Sequence, residues 1–199
     1  MKYRLYVFVC LLTMPTLSNA IEIIFDFGIH FGGDTLSYPN GTTTSIGAGD
    51  SFMGSVGLKM DLTDEIMAEV TCGIDMIGTL NAFTGILEIF STNDEKTDEN
   101  ESPYLLRDAC NALILYKLND TYRIGGGVTA SSISLSNPTG TSETDVSFDK
   151  SFGFLIDGRI YFEKTEYVGV RLIFIDFSRP NDSRTYSGNS IGLTYGFEY

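Results

Sequence analysis

Tryptophan is absent from this 199-residue chain, and histidine occurs once, at His30. A lone histidine leaves nucleophilic catalysis one candidate base. Its conceivable partners, Ser51, Ser131 or Ser151 with Asp26, Asp50 or Asp75, share no spacing motif. Basic residues are scarce: 13 Lys and Arg stand against 26 Asp and Glu, a formal charge of −13. No basic patch exists for a phosphate backbone, which excludes nucleic acid as a partner. No apolar run reaches the ~18–20 residues a membrane-crossing helix needs. Cysteine occurs three times, at Cys10, Cys72 and Cys110.

Both ends of the chain carry recognisable patterns. At the C-terminus, Ile191, Leu193, Tyr195, Phe197 and Tyr199 alternate with Gly192, Thr194, Gly196 and Glu198. Period-two alternation is a strand with one apolar and one polar face. Exposed in water, such a terminal strand would aggregate, so it calls for a sheet partner and an apolar solvent. At the N-terminus, Lys2 and Arg4 precede an apolar run from Leu5 to Met14, and Ser18-Asn19-Ala20 offers small residues for cleavage. That layout predicts a secretory signal peptide over 1–20, with Cys10 inside it, and one mature domain over 21–199.

The same alternation recurs along the mature chain. Strands are expected at 21–32, 51–62, 65–77, 104–118, 121–133 and 150–162, then past 163–166 through Val168, Val170, Leu172 and Phe174, and last at 191–199. Asp108 interrupts the apolar side of the fourth, and Leu113 and Leu115 its polar side. Long polar connections (33–50, 78–103, 134–149, 178–189) alternate with short ones (63–64, 119–120, 163–166). The apolar stretch from Phe83 to Phe90 reads as a short helix or barrel extension within its loop. The pattern predicts an all-β fold, an eight-stranded antiparallel up-and-down transmembrane β-barrel with long extracellular loops and short periplasmic turns. A soluble ligand-binding barrel would show similar alternation, but here the glycines at 28, 57, 73, 125, 127, 153, 169, 192 and 196 share the polar face. Glycine relieves crowding inside a narrow barrel, so the polar face points inward.

With its signal peptide, eight alternating strands and terminal Tyr195, Phe197 and Tyr199, the chain resembles the small outer-membrane β-barrel proteins of Gram-negative bacteria. These include the outer-membrane protein X, outer-membrane protein W, outer-membrane protein A membrane-domain and opacity-protein types. The resemblance covers the whole mature chain. The family usually ends in phenylalanine, and Tyr199 departs from it as another aromatic. The resemblance implies location in the outer membrane among lipid and lipopolysaccharide. It also implies that Tyr195, Phe197 and Tyr199 are the assembly signal read by the outer-membrane barrel assembly machinery.

The inward face collects charges of both signs. A lumen network is expected of Glu22, Asp26, Lys59, Glu69, Asp75, Arg107, Lys117, Arg123, Asp157, Arg159, Arg171 and Glu198, with Asp61 and Glu163 on the same parity. Unpaired buried charges would each cost several kcal/mol, roughly, so the network should be salt-bridged and fill the lumen. The inward apolar minority, Ile24, Leu113, Leu155, Ile173 and Ile175, keeps open a narrow channel for small or hydrophobic solutes of the outer-membrane protein W type. The acidic run at 93–102 lacks the glycine and ligand order of an EF-hand and reads as a solvated, self-repelling loop. Cys72 and Cys110 share the apolar parity on consecutive strands. A bridge needs Cα atoms within about 7 Å and the register is unspecified, so two lipid-facing thiols are the preferred reading. No cofactor or metal is implied. The expected role is a non-enzymatic barrel with a plugged lumen, whose acidic, flexible loops serve adhesion to a host or surface ligand, or envelope integrity.

Overall fold

The computed structural model describes residues 21–37, 43–77, 104–136, 146–180 and 182–199. The expected signal peptide, the apolar stretch at 83–90 and the acidic run at 93–102 lie outside the described residues. Thirteen strands appear in order: β1 (Ile21–Gly32), β2 (Thr35–Ser37), β3 (Thr43–Gly47), β4 (Ser51–Asp61), β5 (Ile66–Ile77), β6 (Tyr104–Lys117), β7 (Tyr122–Ser136), β8 (Val146–Ser147), β9 (Ser151–Tyr161), β10 (Glu166–Phe174), β11 (Asp176–Ser178), β12 (Thr185–Ser187) and β13 (Ser190–Glu198). No helix occurs among the described residues.

Eight long strands, β1, β4, β5, β6, β7, β9, β10 and β13, pair antiparallel with their neighbours in chain order. The last pairs back with the first, Phe197 opposite Phe25 and Leu193 opposite Ile29, which closes the barrel. Closure leaves no free edge, as a wall in hydrocarbon must. Local side chains shape the tight turns. Asn119 Oδ1 accepts the backbone N–H groups of Thr121 and Tyr122, and Thr63 Oγ1 accepts those of Glu65 and Ile66.

The outside is apolar along every long strand, with Phe27, Val56, Val70, Ile114, Val128, Ile156, Val170 and Leu193 all exposed. Aromatic residues bound this belt at both ends. Tyr116, Tyr122, Phe162, Tyr195 and Tyr199 ring the turn side, and Phe31, Phe52, Phe152, Phe154 and Phe174 ring the loop side. On β7 the belt runs from Tyr122 to Ala130, about 27 Å along the strand. A tilt of about 40° projects that to about 21 Å, close to the roughly 25 Å apolar band of such barrels.

Inward glycines are required by the wall itself as much as by the lumen. A Cβ on Gly125 or Gly127 would strike the carbonyl oxygens of Ile114 or Ala112 on β6, and one on Gly153 that of Phe174. The strands coil tightly enough to bring neighbouring backbone over these positions. The outward Gly54 and Gly158 face open space.

Two sequence expectations need correction. Three of the long connections hold strands rather than only flexible loop: β2 pairs β3, β11 pairs β12, and β8 pairs antiparallel with the end of β7, while the connection 78–103 lies outside the described residues. Leu36, Ile46, Ala48, Val146, Phe148, Phe177 and Tyr186 from these extensions are buried with Leu105, Ile133, Leu135 and Ile175 from the barrel rim in one apolar cluster. Burying these dispersed side chains folds the described parts of the loop end into a cap. The second correction concerns the cysteines. The register sets Cys72 directly opposite Cys110, Cα atoms 4.1 Å apart, and the two are joined as a disulfide. Directly opposed residues of an antiparallel pair lie about 4.5–5.5 Å apart, inside the roughly 7 Å that a bridge can span.

Candidate functional site

The charged lumen is built by parity, because every second residue of each barrel strand points inward. At the turn side, Lys59 of β4 lies 2.5 Å from both Glu22 of β1 and Glu198 of β13. Glu198 also accepts the Tyr161 hydroxyl at 2.5 Å and Arg123 Nη1 at 3.3 Å. The Arg123 guanidinium stacks over the Tyr161 ring, 3.7 Å from its centroid.

The middle of the lumen holds a fully buried chain of charges. Arg159 of β9 grips Glu69 of β5 bidentately, at 2.7 and 2.9 Å, while its Nε donates to Asp157 at 2.6 Å. The other Asp157 oxygen accepts Arg171 Nε at 2.6 Å, and Arg171 Nη2 reaches Asp26 at 3.3 Å. Asp26 also accepts the Tyr167 hydroxyl, and the Tyr167 ring lies beneath the Arg159 guanidinium. Planar guanidinium forks suit this task because each binds several carboxylate oxygens in fixed geometry. Toward the cap, Arg107 pairs with Asp75 and donates to Ser51 Oγ at 2.9 Å. Five buried carboxylates (Asp26, Glu69, Asp75, Asp157, Glu198) thus meet five cations (Lys59, Arg107, Arg123, Arg159, Arg171). A second part of the wall is apolar, with Met67, Leu113, Leu115 and Leu155 buried from β5, β6 and β9. Ile24, Ile173 and Ile175 are buried too.

Not every expected network member joins. Lys117 is half-buried and pairs across the turn with exposed Asp120 at 2.8 Å, holding that carboxyl below its ordinary range. Asp61 and Glu163 are exposed at the turn end. Parity aims all three inward, but the strands end there and water reaches them. Glu22 reaches Lys59 from a partly exposed position. Two members escaped the sequence reading: Tyr161 and Tyr167, whose hydroxyls complete the coordination of Glu198 and Asp26. Their parity with Arg159 and Arg171 was the available signal.

His30 is buried against Gly192, and among the described residues neither ring nitrogen has a hydrogen-bond partner and no serine or carboxylate orients it. Tyr195, Phe197 and Tyr199 form an aromatic ladder on the outer wall. Phe197 stacks on Phe25 at 5.1 Å and meets Tyr199 edge-on at 5.6 Å.

No protein-family model and no curated protein matches the chain. Solved structures do. Ail, the attachment invasion locus protein of Yersinia pestis, solved in complex with the heparin analogue sucrose octasulfate, superposes with a TM-score of 0.51 at 10% identity, over 91% of this chain and 97% of that one. This is the fold of the small outer-membrane β-barrels. OprG from Pseudomonas aeruginosa (TM-score 0.49, 8% identity, 90% of this chain and 95% of that) and the Neisserial surface protein NspA (0.43, 8%, 90% and 96%) were also matched. The apolar belt, in this fold, faces the hydrocarbon of a membrane. An outer-membrane barrel of eight strands has an interior just wide enough for side chains to fill, and here charged pairs and their tyrosine donors fill it.

The hydroxyl of Tyr167 supplies a charge-assisted bond to a buried carboxylate. Tyr167→Phe keeps the ring beneath Arg159 and is expected to cost about 1.5–3 kcal/mol. Denaturant unfolding in detergent micelles measures it; an unchanged midpoint would show that the Asp26 carboxylate does not depend on this donor.

Proposed function

We propose that this protein is a non-enzymatic outer-membrane barrel whose lumen is a closed structural core and whose loop end makes contacts with a host or another surface. The observation that carries the reading is the charge pairing across the lumen, beneath a buried apolar cap. Moving an ion through would require breaking bidentate pairs such as Arg159–Glu69 in a low-dielectric interior. Without Lys2 and Arg4 of the segment removed on export, 11 basic residues stand against 26 acidic ones, a formal charge of −15, and the buried lumen, with its five carboxylates and five cations, contributes almost none of it. An acidic surface attracts partners with basic faces and repels polyanions. The sulfated ligand seen on Ail is therefore a poor guide to the ligand here, and a basic protein or matrix surface is the better one.

Several further roles belong to the same proposal. Residues 1–20 are removed on export. Tyr195, Phe197 and Tyr199 guide insertion by the barrel assembly machinery, and the apolar belt contacts lipid and lipopolysaccharide.

Planar-bilayer recording of the refolded chain tests the closed lumen. No reproducible openings are expected. Discrete openings that change on Arg107→Ala or Arg171→Ala substitution would replace this reading with the narrow channel, lined in part by Leu113 and Leu155. Salt-dependent adhesion of vesicles bearing the barrel to a polylysine-coated surface, lost when the loop-end acids are neutralised, tests the surface role.

A further inference from the structure

Cys72 and Cys110 lie on the lipid side of the wall. Both are exposed on the outer face, Cys72 opposite Val56 of β4 and Cys110 opposite Ala130 of β7. The next outward residues along their strands are Val70 and Ile74 on β5, and Ala112 and Asp108 on β6. Ala130 in turn stands opposite Phe152 of the loop-side aromatic ring, so the disulfide lies inside the belt, just below its loop-side margin.

We infer that this disulfide is made before the barrel enters the membrane, by a thiol–disulfide oxidase acting on the uninserted chain, and that lipid then seals it. The inference rests on the outer-membrane reading. Its chemistry needs a charged nucleophile. One cysteine loses its proton, and its thiolate attacks the oxidase disulfide, forming a mixed disulfide and releasing one oxidase thiolate. The second cysteine, also deprotonated, attacks the chain-side sulfur of that mixed disulfide. The Cys72–Cys110 bond forms and the oxidase leaves as a dithiol. The chain gives up two electrons, and its two protons end on the oxidase thiols or in solvent.

None of these steps suits the inserted barrel. A thiolate in hydrocarbon bears the full cost of an unsolvated charge, and the belt keeps a water-borne disulfide away. The Asp108 carboxylate, one outward position toward the loop end, repels an approaching anion as well. In the uninserted chain nothing blocks the reaction, since the two cysteines are 38 residues apart and the intervening segment is long enough to let them meet. The bond then holds β5 and β6 in register across the longest connection of the barrel before any lipid is met. Oxidation state on arrival therefore becomes permanent.

The full mature chain, oxidised and folded into dioleoylphosphatidylcholine vesicles, is treated with the membrane-impermeant reductant tris(2-carboxyethyl)phosphine. Freed thiols are then tagged with a maleimide polymer in denaturant. Reduction is expected to be slower by on the order of a hundredfold or more than for the same chain in urea. In a second arm the reduced chain is folded into the vesicles and exposed to glutathione disulfide, and it is expected to stay reduced. Reduction or oxidation in vesicles at rates close to those in urea would overturn the inference, even if the reduced chain inserts poorly and only the first arm can be read. Insertion is scored separately by heat-modifiable mobility and protease protection. Failure of the oxidised chain to insert would instead overturn the membrane reading beneath the proposal.

Discussion

Replacing Arg159 by methionine is expected to destabilise the barrel by about 3–5 kcal/mol, because it strands buried carboxylates rather than merely deleting a contact. Arg159 is completely buried and holds both oxygens of Glu69 and one of Asp157. Methionine fills much of the volume but brings no donor, so Glu69 keeps its charge without a partner or takes up a proton. Asp157 retains Arg171 and suffers less. The double variant Arg159→Met with Glu69→Gln removes the stranded charge and should recover part of the loss. Urea unfolding in vesicles, followed by heat-modifiable gel mobility, gives the comparison. If the single variant unfolds at the wild-type midpoint, the lumen is wetter than its geometry implies and the closed-core reading fails with it.

Gly127→Val is expected to abolish the folded barrel, a loss of about 3 kcal/mol or more. Overpacking a dense site costs about 1–3 kcal/mol where neighbours can shift, and here the obstacle cannot easily shift. The new Cβ would sit on the Ala112 carbonyl, a ladder group of the adjacent strand, beside Leu113 Cα. Moving it breaks the β6–β7 pairing over Ala112 and Leu113. Gly158→Ala on the outer wall of β9 provides the contrast, since its Cβ would meet nothing within 4 Å. Alanine there should fold at wild-type efficiency. Equal refolding yields for the two variants would refute the idea that strand coiling, rather than glycine content, sets these positions.

The strands and their two faces were legible in the sequence because a single rule, alternation, governs a residue wherever a wall separates two media. The same rule misplaced Lys117 and Glu163, where the wall has ended but the parity runs on. It separated the lumen carboxylates from the guanidiniums only as a mixed set. Which arginine holds which acid depends on strand stagger, and Glu69 and Arg159, 90 residues apart, meet only once the barrel closes. The disulfide depended on register in the same way. Cys72 and Cys110 on neighbouring strands could have been offset by several residues, and alternation carries no information on offset. The cap was illegible for another reason. Leu36, Ile46, Phe148, Phe177 and Tyr186 are spread singly through polar connections, with no period to mark them as a core.

The two aromatic rings differ in chemistry, and the difference bears on how the barrel answers a change in bilayer thickness. Tyrosines dominate the turn-side ring, and two of them are tethered there: Tyr116 donates to Glu65 at 3.0 Å and Tyr195 to Glu166 at 2.9 Å. Each has an apolar body in lipid and a polar tip bound to a carboxylate at the water boundary, which fixes its depth. Among the described side chains the loop-side ring is phenylalanine, without a polar tip to hold it at any level. Hydrophobic mismatch costs only fractions of a kcal/mol per Å, roughly, and is taken up where resistance is least. The barrel is thus pinned at its turn-side rim and free to ride at its loop-side one, so a thicker or thinner leaflet moves the cap relative to the bilayer while the turn end stays level.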